Sequence, residues 1–311
     1  MQVVLAQPRG FCAGVTRAIE IVERVLDLHG APVYVFHEIV HNQRVVDDLR
    51  SRGAVFVDTL DGLPAGSQVV FSAHGVSRAV VAQAHQLHLH AVDATCPLVA
   101  KVHQQAQRFA RQGRSLVMIG HAGHEEVVGT MGQVDVPVHL ISRVADVAAL
   151  DLPAQAPLAY VTQTTLSLED TRELIAALQA RFPHIVGPEV DDICYATQNR
   201  QVAVRALAGQ VDLVLVVGAR NSSNSNRLRE VAAQAGVPAH LVQDARDIQP
   251  DWLRSPLLDT LRVGVTSGAS TPEPLVQEVL ESLRERHPGP VVQLPGVKES
   301  TQFRLPAELA G

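Results

Sequence analysis

The sequence predicts an α/β protein made of three similar domains, each with a small, mostly parallel sheet, arranged around a pseudo-threefold axis. Three observations predict it. Short apolar segments alternate with helical ones along the chain, the pattern of parallel strands joined by crossover helices. The three cysteines, Cys12, Cys96 and Cys194, each stand in a turn that opens a helix: "GFCAGVTRA", "ATCPLVAKV" and "DICYATQNR". Polar loops then recur at near-constant spacing, with His41 29 residues after Cys12, His124 28 after Cys96 and Ser222 28 after Cys194. A further polar loop follows each of these, "SAHGVS" (72–77), "TQTT" (162–165) and "SGAS" (267–270). Ligands of open α/β sheets bind beyond the strand C-termini, so these loops are expected to face the centre.

The strands are read from β-branched and apolar runs: 2–6, 32–36, 68–73, 115–120, 158–163, 213–218 and 262–267. Helices are expected after the cysteines at 13–30, 97–113 and 196–210, and also at 43–53 and 167–182. Pro97 suits a first helical position. Boundaries fall near the second and third cysteine loops, giving domains over 1–95 (with the N-terminal strand and the first cysteine loop), 96–192 and 193–285. "FPHIVGPEVDDI" (182–193) reads as a linker, and the Pro- and Gly-rich residues 286–311 as an extended tail.

Composition narrows the function. With 311 residues, 46% of them hydrophobic, the chain can bury two or three small cores. No run of 18 apolar residues occurs and the start reads straight into "VVLAQPRG", so neither a membrane span nor a signal peptide is expected, and the cytoplasm is the expected location. A net charge of −6 without a basic, aromatic-interleaved cluster argues against nucleic acid as a partner. "HEIVH" (37–41) matches the H-E-x-x-H pattern of zinc proteases, but that site needs a helix to put both imidazoles on one face. Here a strand precedes it and the helix starts only after Asn42, so a strand end and loop are expected.

An odd count of three cysteines with no C-x-x-C speaks against a disulfide framework or a zinc ribbon. A cysteine at a helix N-terminus meets unpaired N–H groups and the positive end of the dipole, which favour the thiolate. Three converging thiolates can hold zinc or an iron–sulfur cluster. In a four-iron cluster, three protein ligands leave one iron open to bind a substrate oxygen. The loops offer hydrogen-bond donors suited to a phosphate or diphosphate: His41, His74, His124, Ser222, Ser223, Asn224 and Ser270. Glu125 and Glu126 place a carboxyl group beside such a pocket, a natural proton donor. Spacing alone does not choose between them. A zinc hydrolase of a phosphorylated small molecule and a non-catalytic iron–sulfur sensor are the other readings these residues allow.

Taken together, "GFCAGVTRAI", "EIVHN", "SAHGVS", "DATCPLV", "GHAGHEEVVGTMGQ", "TQTTLS", "DDICYATQNRQ", "NSSNSNRL" and "GVTSGAS" resemble the 4-hydroxy-3-methylbut-2-enyl diphosphate reductase family. The resemblance implies an α/β trefoil around a [4Fe-4S] cluster with one iron lacking a protein ligand. It implies reductive removal of the substrate hydroxyl to give isopentenyl and dimethylallyl diphosphate, the last step of the methylerythritol phosphate route. By position, Cys12, Cys96 and Cys194 resemble the cluster ligands, and His41, His74, His124, Ser222, Ser223, Asn224 and Ser270 the diphosphate pocket. Glu126 resembles the proton donor, Thr164 a hydroxyl bonded to the substrate alcohol, and Gln163 a neighbour in that network. Glu125 departs from the family, where proline is common. With no dinucleotide or flavin motif, the expected electron source is a ferredoxin- or flavodoxin-type partner.

Overall fold

The computed structural model describes residues 1–188, 191–253 and 261–309, so parts of the expected linker (182–193), of the third domain and of the tail (286–311) lie outside the described residues. The chain divides into two compact units. The first comprises Met1–Ala13, His41–Gln43 and Tyr195–Gln302, and the second Gly14–Val40, Arg44–Cys194 and Phe303–Gly311.

In chain order the strands are β1 (Gln2–Leu5), β2 (Val33–Phe36), β3 (Ala54–Val57), β4 (Gln68–Phe71), β5 (His90–Asp93), β6 (Ser115–Ile119), β7 (Val138–Ile141), β8 (Leu158–Thr162), β9 (Leu213–Val217), β10 (Ala239–Val242), β11 (Arg262–Ser267) and β12 (Val291–Gln293). The helices are α1 (Ala13–His29), α2 (Gln43–Ser51), α3 (Arg78–Gln86), α4 (Pro97–Arg111), α5 (Glu125–Met131), α6 (Val144–Ala149), α7 (Leu168–Arg181), α8 (Tyr195–Ala208), α9 (Ser223–Gln234) and α10 (Glu273–Arg286). The strands form three small sheets, and every named pairing is parallel, as the alternating pattern implies.

The first unit holds one sheet, ordered β10-β9-β11-β1-β12. The sequence grouped the N-terminal strand with residues up to 95. It lies instead between β11 and β12, with Val3 opposite Val263 on one side and Val291 on the other. Its apolar residues are buried on both faces, which suits an interior strand. Leu213, Leu215, Val217, Val263 and Val265 face α10 through Val276, Val279 and Leu283, while Val214 and Val216 face α8 and α9 through Val204, Leu207 and Leu228.

The second unit holds two sheets, β3-β2-β4-β5 and β7-β6-β8. In β6 the alternation is again two-sided. Leu116 and Met118 pack with Val102, Ala106 and Phe109 of α4, while Val117 and Ile119 pack with Leu174 and Leu178 of α7. Residue 186, inside the expected linker, makes a parallel bridge to Ala159 and covers the outer edge of β8. No described helix is long and apolar enough to cross a membrane.

Candidate active site

The first unit builds one cysteine loop and one serine-rich loop. Cys12 directly precedes α1, and its N–H donates to the Ala269 carbonyl (3.1 Å). Gly10, at φ +73°, turns the chain just before it, and its N–H donates to Ser267 Oγ (2.8 Å). Ala269 N–H in turn donates to Asn224 Oδ1 (2.9 Å), tying the Cys12 loop to the start of α9. Ser222 caps α9, accepting from Ser225 N–H (3.3 Å) and from Ser225 Oγ (3.0 Å). Both lone pairs of the Ser222 oxygen are then engaged, which leaves its own O–H as a donor. Ser223 and Asn224 open the first turn of this helix, where backbone N–H groups have no intrahelical acceptor. Ser270 Oγ donates to the His41 carbonyl (3.0 Å), and His41 Nδ1 lies 3.4 Å from Asn221 Nδ2.

The "HEIVH" segment contains no α-helix; α2 begins at Gln43, as the sequence implied. His37 sits at φ +62°, packs on Phe36 and lies 3.4 Å from the exposed Asp58. The helical geometry of a zincin site is missing.

The second unit gathers the acid–base groups. Cys96 stands at the N-cap of α4 with Pro97 next, and its N–H donates to the Ala73 carbonyl (2.9 Å). His74 Nδ1 lies 2.8 Å from Glu125 Oε2 and 3.4 Å from Ser72 Oγ, and its ring meets His124 edge-on at 5.9 Å. His124 caps α5, with Nδ1 accepting from Glu126 N–H (3.2 Å). Glu126 is 2% exposed, and Thr164 clasps its carboxylate: Thr164 N–H donates to Oε1 (2.6 Å) and Thr164 Oγ1 to Oε2 (3.0 Å). The Thr164 carbonyl accepts from Cys194 N–H (3.1 Å). A carboxylate, a hydroxyl and a cysteine backbone are thereby linked through one residue. Buried Gln163 bridges loops, accepting from His121 N–H (3.1 Å) and donating to Thr165 Oγ1 (2.9 Å). The structure thus separates the two adjacent carboxylates: Glu125 pairs with His74, and Glu126 with Thr164.

None of the three cysteines forms a disulfide, and each is partly exposed beside a helix start. Such thiols are the donor set that iron–sulfur clusters require. Two polar residues near these loops escaped sequence reasoning. Asp192 has a fully buried side chain whose Oδ2 accepts from Thr162 N–H (3.0 Å). Burial pushes it up to about 6, opposed by that hydrogen bond and by Lys101 at 4.0 Å. Its signal was "DDIC", a polar residue two places before a cysteine. Arg200, 0% exposed, lies within α8, and its carboxylate partner Glu299 is 99 residues away, so no local pattern announced the pair.

Residues 3–284 match the family described as "LytB protein". The chain is 58% identical over 310 residues to 4-hydroxy-3-methylbut-2-enyl diphosphate reductase 2 of Bradyrhizobium diazoefficiens, covering 100% of this chain and 99% of that one. It is 59% identical over 308 residues to 4-hydroxy-3-methylbut-2-enyl diphosphate reductase of Aromatoleum aromaticum, covering 99% and 97%. Among solved structures, the E-1-hydroxy-2-methyl-but-2-enyl-4-diphosphate reductase of Plasmodium falciparum matches with a TM-score of 0.94 at 37% identity, covering 99% of this chain and 96% of that one. By sequence and by fold, the chain belongs to the LytB family of 4-hydroxy-3-methylbut-2-enyl diphosphate reductases.

Proposed function

We infer that the protein removes the hydroxyl of 4-hydroxy-3-methylbut-2-enyl diphosphate to give isopentenyl and dimethylallyl diphosphate, the last step of the methylerythritol phosphate route. The observation that carries the residue-level reading is the Glu126–Thr164–Cys194 chain of hydrogen bonds, which places an acid and a hydroxyl beside a cysteine loop. Cys12, Cys96 and Cys194 would hold a [4Fe-4S] cluster, one iron of which would lack a protein ligand, and the bound cluster would supply the electrons and the Lewis acidity for C–O cleavage.

The chain's own residues do the rest. The O–H of Ser222, the N–H groups opening α9, Ser270 and the imidazoles of His41, His74 and His124 hold the diphosphate and fix the reach of the alcohol. Thr164 Oγ1 bonds that alcohol, and Glu126 delivers a proton through it, so the hydroxyl leaves as water. Gln163 keeps the Thr164 loop in place. The reaction consumes two electrons and two protons, and the electrons come from a ferredoxin- or flavodoxin-type donor in the cytoplasm. We assign the three sheets to three domains with boundaries near residues 95 and 192, the N-terminal strand β1 being contributed to the sheet of the third.

The test is anaerobic purification followed by iron and acid-labile sulfide assays on the wild type and on Cys12→Ser, Cys96→Ser and Cys194→Ser. Each substitution should strip the cluster and abolish donor-dependent turnover. A variant with a full cluster and full turnover removes its cysteine from the site, and stoichiometric zinc without sulfide overturns the cluster altogether.

A further inference from the structure

Within the first unit, the C-terminal segment after β12 meets α8 through an ion pair between buried Arg200 and partly buried Glu299. Arg200 is 0% exposed, and its two terminal nitrogens serve four acceptor atoms on three residues. Nη1 donates to the Ala196 carbonyl (3.0 Å) and to Glu299 Oε1 (3.0 Å). Nη2 donates to Glu299 Oε2 (3.2 Å) and to the Gly10 carbonyl (2.7 Å). Glu299 also accepts from Asn199 Nδ2 (3.0 Å). The Gly10 carbonyl lies two residues before Cys12, and Ala13 N–H, one residue after it, donates to Tyr195 Oη (3.4 Å) on the same helix. Helix α8 thus grips the Cys12 loop on both sides, and a residue of the tail aims the grip.

Buried ion pairs contribute little net stability, because desolvating both charges offsets their attraction. What this one provides is direction. A guanidinium has a planar fork of donors; with the carboxylate filling one side, the remaining Nη2 hydrogen points at a single carbonyl. We propose that Glu299 and Arg200 are positioning residues for Cys12, so that the C-terminal tail holds the first cysteine loop in its metal-binding form. This rests on Cys12 being a cluster ligand.

The experiment uses anaerobic, full-length holoprotein. Glu299→Gln keeps the shape and removes the charge. It should raise amide hydrogen exchange across residues 10–13 and speed iron release to a chelator, each by roughly tenfold or more, the scale of a lost charged hydrogen bond. Glu299→Asp should recover part of both. Val279→Ala, in the core of the same unit, serves as the control for general destabilisation. Wild-type exchange and iron release in Glu299→Gln overturn the proposal, as do changes no larger than those of Val279→Ala at matched loss of melting temperature. Should Cys12→Ser keep its iron, the ligand reading fails by itself, while exchange at 10–13 still reports on the grip.

Discussion

The two units carry different chemistry on the same kind of scaffold. In the first, the candidate residues of the serine-rich loops are neutral hydroxyls and amides: Ser222, Ser223, Asn224 and Ser270, with His41 as the one imidazole. In the second they are mostly titratable: His74, His124 and Glu126, with Glu125 against His74. Both sets stand beyond the C-terminal ends of parallel strands. The contrast matches the proposed division of labour, in which strand-end loops fix where chemistry occurs, the first unit holds the anion, and the second adds His74 and His124 to that hold and supplies the proton. On the proposed roles, substitutions at the first-unit residues and at His74 and His124 should act on affinity, and those at Glu126 and Thr164 on turnover and pH response.

The most severe break of this comparison, short of losing the cluster, is Glu126→Gln. The amide retains size and polarity but delivers no proton, so kcat should fall about 10²–10⁴-fold with KM little changed. Glu125→Gln should cost far less, since Glu125 lies against His74 whereas Thr164 bonds Glu126. Steady-state kinetics with a chemical reductant decides it; an inactive Glu125→Gln beside an active Glu126→Gln would exchange the two roles.

His103 sharpens the pH half of the comparison. It lies under Gly75, is 8% exposed, and its Nε2 is buried without a hydrogen-bond partner among the described residues. Burial lowers it from 6.5 to about 4, against the opposing pull of Asp93. Below pH 6.5 the unfolded chain takes up a proton that the folded chain refuses down to about pH 4. Stability therefore falls as pH drops through that window, by a total on the order of 3 kcal/mol. His103→Gln should flatten this part of the profile. Superimposable slopes of melting temperature against pH for wild type and variant would exclude His103 as its source.

The smallest expected effect lies in the first unit. His41→Ala should weaken substrate binding about 10- to 150-fold, the value of one hydrogen bond to a charged group, and act mainly on KM. His37→Ala should be milder, because its ring rests on Phe36 at the edge of the loop. Equal losses in both, accompanied by loss of stoichiometric zinc, would restore the zincin reading of "HEIVH".

The strands show what the sequence by itself determined. The seven read from it, β1, β2, β4, β6, β8, β9 and β11, include every interior strand of the three sheets. Interior strands bury both faces and so spell continuous apolar runs. The five not read, β3, β5, β7, β10 and β12, are all edge strands with mixed burial. The exception explains itself: β8 is terminal in its sheet, yet the bridge to residue 186 covers its edge and every residue is buried. The cysteine and polar loops were legible for a related reason, since turn chemistry and helix starts are local. Tertiary structure alone decided which sheet β1 joins, which of Glu125 and Glu126 meets Thr164, and that Arg200 finds Glu299. Each depends on partners distant in sequence, and a hydrogen bond formed across 38 or 99 residues leaves no periodicity in the chain for a reader to find.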